Sequence, residues 1–124
     1  MPGDDLPGGV HFGMVAPDGA VVGTCFVYSE PCPWRPDADA WRLRSMATDP
    51  AWRGSGVGRA VLSAAVEYAR SQGADLLWCN AREPAAGFYE RGGFRRHGDV
   101  FTDERHTIPH VRMWRELRTG PASS

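Results

Sequence analysis

Arg53-Gly54-Ser55-Gly56-Val57-Gly58-Arg59 runs directly into a helix-forming segment. Glycine has no Cβ, so the main chain there can come close to a bulky anion. A helix start adds unpaired N–H groups and the positive end of the macrodipole. Together these make a phosphate cradle, read here as the seat of a coenzyme's pyrophosphate. Two better-known motifs are excluded. A P-loop needs Lys-Ser or Lys-Thr where Arg59-Ala60 stands, and the third small residue of a dinucleotide fingerprint would fall on Arg59. What remains is Arg-x-x-Gly-x-Gly, Arg53 to Gly58. The alternative is a glycine-rich turn that only lets a strand and a helix pack closely.

The flanks point to a strand before the turn and a helix after it. Trp41 to Thr48 reads as a strand, with Trp41, Leu43, Ser45 and Ala47 on one side and Arg42, Arg44, Met46 and Thr48 on the other. Asp49-Pro50 stops it. The helix runs from Val57 to about Gln72, with Val61, Leu62, Ala65, Val66 and Ala69 on one apolar face and Gly73 ending it. Leu76-Leu77-Trp78-Cys79 is a continuous apolar run, as a buried parallel strand requires, and continues into Asn80. Strand, helix and strand form one right-handed crossover unit. The glycine turn then lies at the carboxyl end of its first strand, where open α/β sheets bind ligands.

Upstream, Val10–Val15 and Ala20–Tyr28 form a hairpin around Ala16-Pro17-Asp18-Gly19. Ser29 to Ala40, with three prolines, is a loop in which Trp34 serves as a packing anchor. Downstream, Pro84 to Arg91 is a short helix with proline in its first turn and Gly92-Gly93 at its end. Phe94–Phe101 and Ile108–Leu117 are two antiparallel strands. Residues 1–9 are a lead-in, 10–117 one domain, and 118–124 a frayed tail.

The net charge of −1 excludes the basic footprint of a nucleic-acid binder. No apolar run approaches the roughly 18 residues of a membrane span. The acidic, turn-rich start is not a signal peptide. Cys25, Cys32 and Cys79 lack paired spacing and read as reduced thiols of a cytoplasmic protein. His106 and His110 have zinc-compatible spacing with His97 nearby, but no cysteine pair accompanies them and Pro109 lies between, so no metal is expected.

Three segments in fixed order carry a resemblance. They are Met46-Ala47-Thr48-Asp49-Pro50-Ala51-Trp52-Arg53-Gly54-Ser55-Gly56-Val57-Gly58, then Asn80-Ala81-Arg82, then Gly87-Phe88-Tyr89-Glu90-Arg91-Gly92-Gly93-Phe94. Together they resemble the GNAT superfamily of acetyl-CoA-dependent N-acetyltransferases over roughly residues 10 to 117. The resemblance implies an α/β (α+β) fold: a mixed, mostly antiparallel sheet with a central β-α-β crossover and a splayed parallel strand pair. It implies acetyl-CoA as cosubstrate, its pantetheine arm in the splay. The arm would meet the main chain at Met46, Ala47 and Thr48, with Asn80 opposite and Phe88 alongside. The N–H groups from Gly54 through Ser55, Gly56, Val57 and Gly58 to Arg59 would hold the pyrophosphate, with Arg53 at the edge of the turn. Tyr89 would be the catalytic proton donor to the leaving sulfur, and an N–H near Met46 would face the oxyanion.

The acceptor implied is a primary amine on a small molecule or peptide, attacked directly in a ternary complex. Glu30, Glu104, His110 or a water chain would serve as base. Family members usually begin with a strand and one or two helices before the hairpin, so the chain reads as N-terminally shortened. A homodimer hiding the exposed surface is therefore expected. A non-catalytic coenzyme-binding module, or a half-site needing a partner subunit, is the alternative.

Overall fold

A computed structural model describes residues 9–102 and 108–117 of the chain. The expected tail, most of the lead-in, Glu104 and His106 lie outside the described residues. Six strands and two helices occur in the expected order. They are β1 (Val10–Val15), β2 (Val21–Ser29), β3 (Ala40–Thr48), α1 (Val57–Ser71), β4 (Leu76–Arg82), α2 (Ala86–Arg91), β5 (Arg95–Phe101) and β6 (His110–Glu116).

Local chemistry sets the boundaries. At the first hairpin Gly19 takes φ 91°, and the Asp18 carboxylate accepts from the Ala20 N–H at 3.0 Å. β3 ends where Asp49 caps a 3-10 turn, Pro50–Trp52, by accepting from the Ala51 N–H at 2.9 Å. The helix expected from Pro84 to Arg91 divides in two. Pro84 sits in a 3-10 turn, Glu83–Ala85, and the α-helix begins at Ala86. The last strand is shorter than expected, starting at His110, because Pro109 at its threshold has no N–H for a ladder.

The strands lie in the order β1-β2-β3-β4-β6-β5. Only β3 and β4 are parallel; the other four neighbours pair antiparallel. α1 and α2 share one face, over a core that includes Val27, Leu43, Leu62, Ala65, Leu77, Tyr89, Phe94 and Met113. On the other face Cys32, Ala40, Leu76 and Trp78 form a second cluster, with Trp34 and Trp114 packed against it. Trp34 is a packing anchor here. Its ring is 4.3 Å from that of His97, nearly coplanar, and 5.6 Å edge-on from Trp78. His97 therefore serves that contact.

One expectation about β3 is corrected. The alternation of Trp41, Leu43, Ser45 and Ala47 on a single side fails after Leu43. Phe26 opposes Arg44 and Thr24 opposes Ala47, so β3 carries one residue more than β2 across this interval. That extra residue is a β-bulge, and it inverts the facing of the residues beyond it. Met46 joins the cluster of Trp41 and Leu43, while Ala47 is exposed.

Candidate functional site

The bulge lies where β3 leaves its parallel partner. β3 and β4 pair at Ala40↔Leu76, Trp41↔Leu77 and Arg42↔Trp78, and the pairing stops there. On its other side β4 stays in register with β6 over seven pairs, from Leu76↔Glu116 to Arg82↔His110. β4 is thus held straight, and the bulged β3 is the strand that departs. The sheet opens between 43–48 and 79–82, and the edges facing the gap need hydrogen-bond partners from elsewhere. Met46, Ala47 and Thr48 lie on one bank and Asn80 on the other.

The Asn80 Oδ1 is buried and receives no hydrogen bond among the described residues. A buried carboxamide oxygen without a donor is a costly state, on the order of 1–3 kcal/mol. An N–H-bearing ligand in the gap would relieve it.

At the head of the gap the chain forms the glycine turn. Gly54 and Gly56 adopt φ 81° and 93°, a region disfavoured for residues with a Cβ, and Gly56 is the N-cap of α1. Gly58 has another reason to be glycine. A Cβ there would lie 3.1 Å from Thr48 Oγ1 and 3.3 Å from Phe88 Cε1, so Gly58 is where β3, α1 and α2 meet. The Ser55 N–H is turned inward to the Trp52 carbonyl at 3.2 Å, and its hydroxyl bonds the same oxygen. The Arg53 N–H is directed to the Pro50 carbonyl at 3.4 Å. The N–H groups of Gly54, Gly56, Val57, Gly58 and Arg59 have no acceptor among the described residues. The first helical bond of α1 comes from Ala60, to Gly56. Five donors without acceptors at a helix start are groups that could hold an anion.

Tyr89 projects from α2 into the helix-side core and is 7% exposed. Its ring packs edge-on against Phe88 at 5.2 Å and Phe94 at 5.6 Å. Burial pushes its phenol well above the usual value, and the nearby Cys79 and Cys25 sulfurs add to the shift. Those two thiols, pushed up to about 12 by their own burial, surround the phenol without competing for its proton at neutral pH. Neither was singled out from sequence, since their spacing carries no signal.

The other candidates separate by position. The Glu30 carboxylate accepts from Arg42 Nη1 at 2.8 Å, and its carbonyl accepts from Trp78 Nε1 at 3.0 Å. This ties Glu30 to Arg42 and Trp78, the last pair before β3 and β4 separate. His110 stands at the open end, opposite Arg82, with Nδ1 2.6 Å from the Ile108 carbonyl oxygen. No group of three or more His, Cys, Asp or Glu side chains suited to a metal occurs among the described residues. No helix among them is long and apolar enough to cross a membrane.

The arrangement thus suits an elongated ligand with amides in its stem and an anion at its head, and Tyr89 is a buried, protonated phenol on α2. Comparison with known proteins identifies the family. The family model of the acetyltransferase (GNAT) domain matches residues 8–96. The uncharacterized N-acetyltransferase YitI of Bacillus subtilis (strain 168) is 31% identical over 121 residues, covering 94% of this chain and 77% of that protein. Glucosamine 6-phosphate N-acetyltransferase of Trypanosoma brucei brucei is 31% identical over 81 residues, 65% of this chain; the match spans 55% of that enzyme's length. Among solved structures, an aminoglycoside 6′-N-acetyltransferase complexed with coenzyme A superimposes with a TM-score of 0.75, covering 97% of this chain and 79% of that one. At 15% identity that likeness is one of fold.

Proposed function

Because the chain belongs to the GNAT acetyltransferase family, we propose that it moves an acetyl group from acetyl-CoA to a primary amine, by direct attack in a ternary complex. The observation that carries this reading is the parallel pair that stops at Arg42↔Trp78, together with five N–H groups at the start of α1 that have no acceptor among the described residues. A plain alkyl chain would leave the banks of that gap unsatisfied, whereas an amide-bearing pantetheine arm would satisfy them. The residues present fit the coenzyme. The main chain of Met46, Ala47 and Thr48 would pair with the arm from one bank. The orphaned Asn80 Oδ1 would accept from it on the other, and Phe88 would pack beside it. The turn from Gly54 to Arg59 would hold the pyrophosphate, with Arg53 flanking.

When bound, acetyl-CoA supplies an activated acetyl thioester. Tyr89 would then donate a hydrogen bond to the sulfur as it gains charge. Full transfer of the phenolic proton would run uphill, since a free thiol has a pKa of about 8.5 and the Tyr89 phenol is raised above its usual value of about 10. Tyr89 therefore acts by stabilising the departing sulfur, and burial keeps it protonated for that task. An N–H near Met46 would face the carbonyl oxygen. With Glu30 held by Arg42, His110 is the described candidate base at the open end.

We also infer that the acceptor is an amine on a small molecule or peptide, that the chain works in the cytoplasm with its three thiols reduced, and that two copies pair. β1 is the terminal strand of the sheet, and its outer edge has no partner among the described residues. Val15 and Val21 are each 58% exposed beside it. An uncovered edge of this kind invites pairing.

A thiol-release assay with acetyl-CoA and a panel of amines tests the reading. Release that depends on the amine is expected. Binding of the coenzyme without release, for every amine class, would instead make the chain a coenzyme-binding module.

A further inference from the structure

We propose that the acceptor is a small primary amine that also carries a carboxylate or phosphate, and that Arg44 and Arg112 hold this anionic group on the sheet face opposite the helices. The inference rests on the acetyltransferase reading above and names the acceptor class for it.

Strand register fixes which residues share that face. Tyr28 opposes Arg42 and Phe26 opposes Arg44, and the two rings stack at 5.3 Å. Arg42 is the last β3 residue paired with β4, and its guanidinium lies 4.7 Å from the centre of the Trp78 ring. Two residues further along each strand stand Arg44 and Asn80, one on either bank of the gap. Arg112 is the β6 partner of Asn80, one strand beyond it at about 5 Å. Two arginines therefore flank the opening, with Asn80 between them.

The other face of the gap is crowded by the helices. Gly58 of α1 and Phe88 of α2 meet Thr48 there, so that a Cβ on Gly58 would lie 3.1 Å from Thr48 Oγ1 and 3.3 Å from Phe88 Cε1. A second substrate is left the helix-free face. On that face Trp34 packs against Trp78 and His97, while no described helix covers the open end.

Neither the Arg44 nor the Arg112 side chain has a carboxylate partner among the described residues, whereas Arg35, Arg42, Arg70 and Arg96 each face a glutamate. Both are half-buried. The Arg112 guanidinium lies 4.4 Å from the centre of the Phe101 ring, and Phe101 pairs with His110 at the open end. A ring contact of this kind restrains the guanidinium without using its N–H donors. Those donors can meet a carboxylate or a phosphate with two parallel hydrogen bonds.

The spacing suits a small molecule. His110, the candidate base, is two residues from Arg112 along β6, about 7 Å. An amine near His110 and an anion near Arg112 are then only a few bonds apart. Arg82, exposed and opposite His110, adds positive charge where such a substrate would enter.

The test is kcat/KM at saturating acetyl-CoA for two matched pairs of amines: β-alanine against β-alaninamide, and O-phosphoethanolamine against ethanolamine. The proteins are the wild type, Arg44→Gln, Arg112→Gln and the double variant. In the wild type at least one anionic member is expected to exceed its neutral partner by at least about tenfold. Which pair shows the preference distinguishes carboxylate from phosphate. The double variant is expected to bring the ratio close to one. Each single variant should lower it, and these carry the test if the double variant does not fold.

Equal kcat/KM within both pairs, or a ratio that survives the double substitution, overturns the inference and leaves the acetyltransferase reading standing. So does turnover confined to other, neutral amines. A preference for acidic peptides over all four amines, lost in the double variant, assigns the arginines to a peptide acceptor and overturns the proposal. Acetyl-CoA that binds, by calorimetry, but is turned over with no amine overturns the acetyltransferase reading and this inference with it.

Discussion

Among single side chains, Tyr89 is the one on which the proposed chemistry rests most. Replacing it with Phe removes the hydroxyl and keeps the ring contacts to Phe88 and Phe94. Turnover is expected to fall on the order of 100-fold, with coenzyme affinity little changed. Unchanged turnover with an authentic acceptor would remove Tyr89 from the chemistry. Its place on a short helix was legible from Phe-Tyr-x-x-x-Gly-Phe; its two thiol neighbours were not, because Cys25 and Cys79 meet it only through the fold. Those thiols make a separate prediction. Burial raises both from 9.0 to about 12. Below the unfolded value both states hold the proton and stability is unaffected. Above it the unfolded chain ionises first, so stability drops as pH rises through the window from 9 to 12. Each thiol contributes up to about 1.4 kcal/mol per pH unit. All 14 basic residues are arginine, so no lysine titration obscures the slope. Urea unfolding at a series of alkaline pH values should show the decline, and Cys25→Ala should make it shallower. A flat profile would mean that these thiols are not held protonated by the fold.

At the level of elements, the junction of β2, β3 and α1 decides the site. Periodicity and punctuation revealed both helices and all six strands, since each relies on local signals such as Asp49-Pro50 or Gly73. The β3 bulge escaped notice because no residue between Leu43 and Thr48 announces it. It arises from pairing with β2, a long-range choice. The role of Gly23 was hidden for the same reason. A Cβ on Gly23 would come 2.5 Å from Val57 Cγ1 and 3.2 Å from Val61 Cγ2, so α1 begins directly on the bare main chain of β2. Gly23→Ala is expected to lower stability by about 1–3 kcal/mol and to displace the start of α1. Adding Val57→Ala should recover part of the loss, because it removes the closer methyl. A melting temperature unmoved by Gly23→Ala would show that this approach is looser than described.

Across the whole molecule, one sheet separates two environments. The helix face holds Tyr89 and the glycine turn, and the opposite face holds the tryptophan cluster and the Glu30–Arg42 pair. The outer edge of β1, without a partner among the described residues, leads us to expect a dimer by light scattering at working concentration; a monomer there would refute that part. The strand ends, the glycine turn and the short helix to which the resemblance assigns the coenzyme were readable from sequence because each is a contiguous segment. The central claim is that the sheet opens to take the pantetheine arm. A crystal structure with coenzyme A bound tests it most directly. The account predicts the arm between residues 43–48 and 79–82, hydrogen-bonded to Asn80, with its diphosphate on the N–H groups of Gly54 and Gly56–Arg59. Strands β3 and β4 found paired along their full length, with the coenzyme elsewhere, would contradict it.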